Sequence, residues 1–72
     1  MMNRNQLDVR LHKLRADLPS MLADAEDEQD FWPTFAAEAY VIEDGAASRE
    51  DVRYVRDQLN RMLRQAGVAE RL

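Results

Sequence analysis

Two narrow apolar stripes, one near each end of the chain, restrict the fold more than any other feature of the sequence. The first, the leucine seam, has spacings of four, three and four residues at Leu7, Leu11, Leu14 and Leu18. The second, the C-terminal seam, has spacings of three, four, three and four at Val52, Val55, Leu59, Met62 and Ala66, with Leu63 on its flank. Such spacing places side chains on one side of an α-helix that packs against a single neighbour. The two seams therefore predict an all-α fold.

The length of the chain limits how such helices can be stabilised. With 72 residues we expect a single helical domain over residues 1–72. A chain this short buries only about 60% of its unfolded surface. It has no Cys and only one His, so we expect no disulfide, no metal site and no cofactor. The sequence therefore predicts a small bundle of three to four helices, completed by homodimerisation.

The first proline sets the expected end of the first helix. We predict this helix from about residue 5 to residue 18, because the residue before Pro19 avoids helical backbone. Pro19 also suits the first turn of a helix, so a short second segment is expected to begin there. This segment becomes strongly acidic over residues 24–30.

A third segment is predicted over residues 31–43, with Asp30 as its N-cap and Pro33 in its first turn. The alternative is one helix over residues 19–43, kinked at Pro33. Several faces of the third segment are apolar, so we expect it to lie centrally or to meet a partner.

The last helix has the clearest boundaries. Ser48 is its expected N-cap, and Asp51 follows three residues later as in a capping box. Gly67 is the expected C-terminal stop, with Val68 closing back onto the last turn. Gly45 is likewise interpreted as a left-handed residue that ends the third segment.

Charge and hydropathy limit the classes of partner. The net charge is −4 and the pI is about 4.8, which disfavours non-specific attraction to nucleic acid or anionic lipid. The sequence contains no signal-peptide pattern and no apolar run near the roughly 18 residues of a membrane span. We therefore expect a cytoplasmic protein without membrane contact.

Four arginines of the last helix form a candidate partner surface, the arginine ridge. Arg49, Arg53, Arg56 and Arg64 fall within roughly 80° of each other at 100° per residue, with Asn60 in the same stripe. They could bind phosphates or an acidic protein surface. Alternatively, they pair with acidic residues of neighbouring helices while the aliphatic parts of their side chains cover the seam. We favour this second interpretation.

Two aromatic residues of the third segment, Trp32 and Tyr40, complete the candidate partner surface. Both residue types are enriched at the energetic centres of protein interfaces. The simpler interpretation is that the aromatic residues belong to the core. Tyr54 is expected to be exposed, since it lies away from the C-terminal seam.

The remaining polar residues give no pattern of catalysis. Ser20 and Ser48 lie at helix starts, where capping explains them, and His12 is interpreted as a surface residue. We therefore predict a non-enzymatic protein–protein interaction module: a homodimer that acts as a small regulator or accessory subunit of a larger protein.

Two alternatives of other classes stay open. The acidic run of residues 24–30 fails the pattern of a calcium-binding loop, but it could imitate nucleic-acid phosphates and inhibit a nucleic-acid-binding protein. The third and last helices could form a helix-turn-helix-like DNA-binding regulator. The acidic chain and the presence of Glu50 and Asp51 at the start of the last helix count against it, so nucleic acid is not the expected partner.

Overall fold

A computed structural model describes residues 2–68, except for the side chain of Glu28. Within these residues the chain forms three α-helices, α1 (Arg4–Asp24), α2 (Glu28–Gly45) and α3 (Arg49–Gln65), and no strand. Each helix packs against the other two. The predicted all-helical bundle is therefore confirmed, with three helices. None of the described helices is long and apolar enough to cross a membrane.

A single core joins the three helices. Each member of this core exposes at most 5% of its surface. The members are Leu7, Leu11, Leu14, Leu18, Phe31, Phe35, Ala39, Ile42, Val55, Leu59, Met62 and Leu63. The whole leucine seam lies in this core, together with the central part of the C-terminal seam. Val52 is half-buried and Ala66 is exposed, because they lie at the two ends of α3. The two seams thus pack against each other and against the inner face of α2 within one chain.

The predicted break before Pro19 is wrong, since α1 continues through this proline to Asp24. Pro19 is exposed, so water can satisfy the carbonyl group that loses its N–H partner. One turn further on, Met21 and Leu22 still pack against the core. Burial of these side chains favours continuation of the helix over the local preference of the residue before proline.

The N-cap of α2 is Asp27 and not the expected Asp30. The Asp27 carboxylate accepts a hydrogen bond from the backbone N–H of Asp30 at 3.0 Å, which is the usual contact of an N-cap with the third helical residue. The expected break before the third segment is present, at residues 25–27, but Pro33 lies inside α2 and not in its first turn. Its exposed position again leaves the unpaired carbonyl open to water.

The boundaries of α3 follow the sequence prediction. The Ser48 hydroxyl accepts a hydrogen bond from the N–H of Asp51 at 3.2 Å. Gly67 has a φ of 81°, and Val68 donates to the carbonyl of Leu63 at 2.9 Å. These contacts form a Schellman motif.

Gly45, in contrast, is the last residue of α2 and does not have a left-handed backbone. Met2, near the N-terminus, lies next to Gly45, and its backbone N–H donates a hydrogen bond to the Gly45 carbonyl at 2.8 Å. A Cβ at position 45 would overlap the end of the Met2 side chain, which would have to shift to make room for it.

Candidate interaction surface

The seam residues proposed for contact with a partner lie inside the folded chain. Leu7, Leu11, Leu14, Leu18, Val55, Leu59 and Met62 are all buried, and Val52 is half-buried. The buried members cannot touch a second protein unless the bundle opens. The narrow seams are therefore explained by packing within one chain.

The arginine ridge lies on the surface of α3. All four of its arginines are exposed. Arg56 forms an ion pair with Glu43 of α2, with 3.3 Å between Nε and Oε1. None of the other three enters an ion pair found in the described part of the chain. The expected pairing with an acidic residue of a neighbouring helix is thus observed at Arg56.

The acidic run is divided among several structural roles. Asp24 is the last residue of α1, Asp27 caps α2 and Asp30 supplies the capped N–H. These three residues and Glu26 are exposed. Helix capping and solvation account for this part of the run.

A polar cluster between α1 and α3 was not anticipated from the sequence. The Tyr54 hydroxyl donates to the Asp8 carboxylate, and the Arg4 guanidinium lies 4.0 Å from the centre of the Tyr54 ring. Arg4 also forms an ion pair with Asp51, with 2.7 Å between Nη2 and Oδ1. Tyr54 is consequently half-buried and not exposed as predicted.

This cluster affects the ionisation of two of its members. The hydrogen bond to Asp8, with a contribution from burial, raises the pKa of the Tyr54 hydroxyl above its ordinary value of 10.0. The hydrogen bond to Asp51 raises the pKa of Arg4 above its ordinary value. A neutral phenol and a charged guanidinium therefore hold α1 and α3 together.

The inner face of α2 carries the aromatic part of the core. Phe31 and Phe35 are stacked, with ring centres 5.4 Å apart. Trp32 contacts both rings edge-on, at 5.3 Å and 6.1 Å between centres, and is half-buried at the border of this face. The interpretation of Trp32 as a core residue is thus supported, although part of its surface is accessible.

The opposite side of α2 is also apolar, but it lies in solvent. We name it the α2 outer face, and it consists of Pro33, Ala36, Ala37, Tyr40 and Val41. At 100° per residue these residues span about 140° on the side away from the buried phenylalanines. Tyr40 is 67% exposed and Val41 is 50% exposed. An outer helix surface with five neighbouring residues of this kind is unusual, because charged and polar residues normally cover that side.

Exposed carboxylates lie at the two ends of the α2 outer face and on its α1 side, where Glu38 and Val41 share a small crevice with Arg10 and Lys13 of α1. Asp30, Glu38 and Asp44 are exposed, and α2 has no Lys or Arg along its length. None of the three takes part in an ion pair found within residues 2–68. The surface therefore combines an apolar stripe with carboxylates that are free of intrachain pairing in the described part of the molecule.

Only part of this surface was recognised in the sequence. Tyr40 belongs to the partner surface predicted from the sequence, but Val41 does not, and the sequence interpretation places Pro33 in the first turn of a helix. The helical positions of residues 33–41 contain the signal, provided that Pro33 is accepted inside the helix. The arginine ridge and Tyr40 lie on different helices, and no hydrogen bond or cation–π contact joins them in the described residues.

Comparison with other proteins adds nothing to this description. No protein-family model, curated protein or solved structure matches the chain. In the described residues, no group of three acidic or histidine side chains could hold a metal ion.

Proposed function

We propose that this chain is a non-enzymatic interaction module, a small regulator or accessory subunit, and that its partner protein docks on the α2 outer face. The observation that carries the proposal is the exposure of Tyr40 and Val41 on a helix whose other side is already fully used in the core. Both seams are also used in that core. The α2 outer face is thus the main apolar surface left for a partner.

The energetics of this surface favour binding. Apolar area removed from water contributes roughly 25 cal/mol per Å². Tyr40 offers a large ring with few rotatable bonds and a hydroxyl that can remain at the wet edge of an interface, which explains why tyrosine is common at interface centres. The stripe is one helix wide, so the interface belongs to the small class that is typical of transient complexes.

The predicted homodimer has to be reconsidered with the seams buried. The residues that suggested it pack within the chain, and we propose instead a single chain whose partner is a different protein. A second copy would have to use an exposed surface instead, and the α2 outer face is the obvious candidate.

The DNA-binding alternative also remains a prediction, and the exposed arginine ridge is its support. It requires binding to duplex DNA that weakens steeply as salt is raised. Absence of such binding at low salt would remove this alternative.

Site-specific photocrosslinking in the cells that produce the protein tests the docking surface. A photoreactive phenylalanine analogue replaces Tyr40 in one variant and Val9 of α1 in the control. Val9 is 69% exposed, close to the 67% of Tyr40, so both probes meet solvent equally. The proposal predicts a discrete crosslinked product from position 40 that is absent from position 9. Equal products from both positions, or a product from position 9 alone, would contradict it.

A further inference from the structure

We propose that the end of the bundle formed by the turn between α1 and α2 opens as a unit while the rest of the chain stays folded. This unit, which we name the hairpin tip, consists of residues 20–32 and is bounded by Pro19 and Pro33. Its opening does not depend on docking at the α2 outer face. Three features favour it: the positions of the two prolines, the low burial of the tip and the lack of polar contacts from the tip to other helices.

The two prolines lie at the same level of the helical hairpin. Pro19 is five residues before the end of α1 and Pro33 is five residues after the start of α2, so each lies about 7.5 Å from the turn at 1.5 Å per residue. Each lacks the N–H that would bond to the carbonyl four residues earlier, and its ring crowds that carbonyl. Of the roughly four hydrogen bonds that cross any point of an α-helix, each helix therefore loses one at this level.

Few side chains of the hairpin tip are buried. Among those that the structure describes, Phe31 alone belongs to the fully buried core, at 2% exposure. Met21, Leu22, Ala25 and Trp32 pack against the core but are only partly buried. The preceding part of α1, in contrast, buries the whole leucine seam. Opening of the tip thus exposes much less apolar surface than unfolding of the chain, which is the property of a segment that opens locally.

Polar contacts between helices are concentrated at the opposite end of the bundle. There the Met2 N–H donates to the Gly45 carbonyl at 2.8 Å, and Arg4 pairs with Asp51 at 2.7 Å. Within residues 2–68, no hydrogen bond or ion pair found joins the hairpin tip to another part of the bundle. The last turn of α1 also carries Asp24 and no basic residue, so its charge opposes the helix dipole.

Opening at this level changes the aromatic surface of the chain. Phe31 and Phe35 lie on the two sides of Pro33 and are stacked, with ring centres 5.4 Å apart. Trp32 contacts Phe35 edge-on at 6.1 Å. Movement of the hairpin tip about Pro33 separates Phe31 and Trp32 from Phe35. The open form therefore presents aromatic side chains that the closed bundle covers.

Native-state hydrogen exchange of the intact protein, followed by NMR at low urea concentrations, tests the opening. Helical amides of the tip, from both α1 and α2, are expected to share one opening free energy and one small urea slope. Their protection should be at least about tenfold lower than that of the central amides of α3. Tip amides that exchange only with the unfolding of α3 would overturn the proposal. So would a gradual decline of protection toward the turn in each helix separately, because that pattern indicates fraying.

The variant Val55→Ala separates local opening from unfolding of the whole chain. Val55 is fully buried in α3, outside the hairpin tip. Loss of its two methyl groups should reduce the protection of the central α3 amides about tenfold. The tip amides should keep their protection within about twofold, because Val55 stays packed when only the tip opens. An equal reduction in both sets of amides would overturn the proposal.

A pair of double variants tests the role of the prolines. Pro19→Ala with Pro33→Ala restores both missing backbone hydrogen bonds. Ser20→Ala with Thr34→Ala is the matched control, since it changes the exposed residue after each proline and adds no backbone bond. Exchange of the tip amides should slow at least about a hundredfold in the proline variant and less than about tenfold in the control. Equal slowing in the two variants would overturn the assignment of the hinge to the prolines.

Discussion

The hydroxyl group of Tyr54 on α3 donates a hydrogen bond to the carboxylate of Asp8 on α1, and this bond is part of the polar cluster that joins the two helices. Replacing Tyr54 with Phe removes the bond and keeps the ring under Arg4. We expect the free energy of unfolding to fall by about 1 kcal/mol at neutral pH. Urea unfolding followed by circular dichroism measures the change. An unchanged stability would mean that the bond contributes nothing.

The same bond makes the stability depend on alkaline pH. The hydrogen bond to Asp8 raises the pKa of Tyr54 in the folded chain above the value of about 10 that it has in the unfolded chain. The folded state then holds its proton more strongly, so the contribution is complete below about pH 10 and is lost as the pH rises through the folded pKa. The difference in stability between wild type and Tyr54→Phe should therefore shrink at high pH. A difference that grows with pH would contradict the assignment.

Leu59 tests whether the C-terminal seam belongs to the core of one chain. It is fully buried, so Leu59→Ala should lower the free energy of unfolding by about 2–5 kcal/mol. Leu59→Asp should prevent folding altogether, because a carboxylate would be buried without a partner. The loss in Leu59→Ala should be the same over a wide range of protein concentrations. A loss that depends on concentration would place Leu59 in an interface between copies.

Pro19 is a site where stability can be gained. It lies inside α1 and faces solvent, so Pro19→Ala restores a helical hydrogen bond without disturbing the core. The helix preference of Ala favours the variant by about 3 kcal/mol, and the greater freedom of its unfolded chain subtracts up to about 1 kcal/mol. A rise in melting temperature is therefore expected. A fall would indicate that the helix ends at this proline.

Gly67 tests the left-handed end of α3. Its φ is 81°, and a Cβ at this position would have no neighbour within 4 Å. Gly67→Ala should cost about 1 kcal/mol through backbone strain alone. D-Ala at position 67, introduced by chemical synthesis, adopts this backbone readily and should not destabilise the chain. Equal losses from both isomers would rule out backbone strain as the cause.

The sequence predicted the core well because its signal is repeated. Four leucines at spacings of four, three and four lie on one face only in a helix, and Val55 and Leu59 follow the same rule. The prolines were misinterpreted for the opposite reason. Each gives a local signal from one residue, and burial of Met21 and Leu22 beyond Pro19 was stronger than that signal.

The surface could be predicted only in part. Tyr40 was identified by its residue type, but a side chain is exposed or covered according to which neighbour its helix meets. The position of Tyr54 beside Asp8 depends on the side of α3 on which α1 lies, and this handedness is not encoded in the spacing of a single helix. The extent of the α2 outer face likewise became visible only when the packing of all three helices was known.

The central claim is that one chain closes its own core and leaves the α2 outer face free for a different protein. Light scattering on a sizing column, over a wide range of concentrations, tests it most directly. We predict a constant mass near the 8.4 kDa of a single chain. A mass near twice that value, restored to the single-chain mass by Tyr40→Glu, would show that a second copy occupies this surface and would contradict the account.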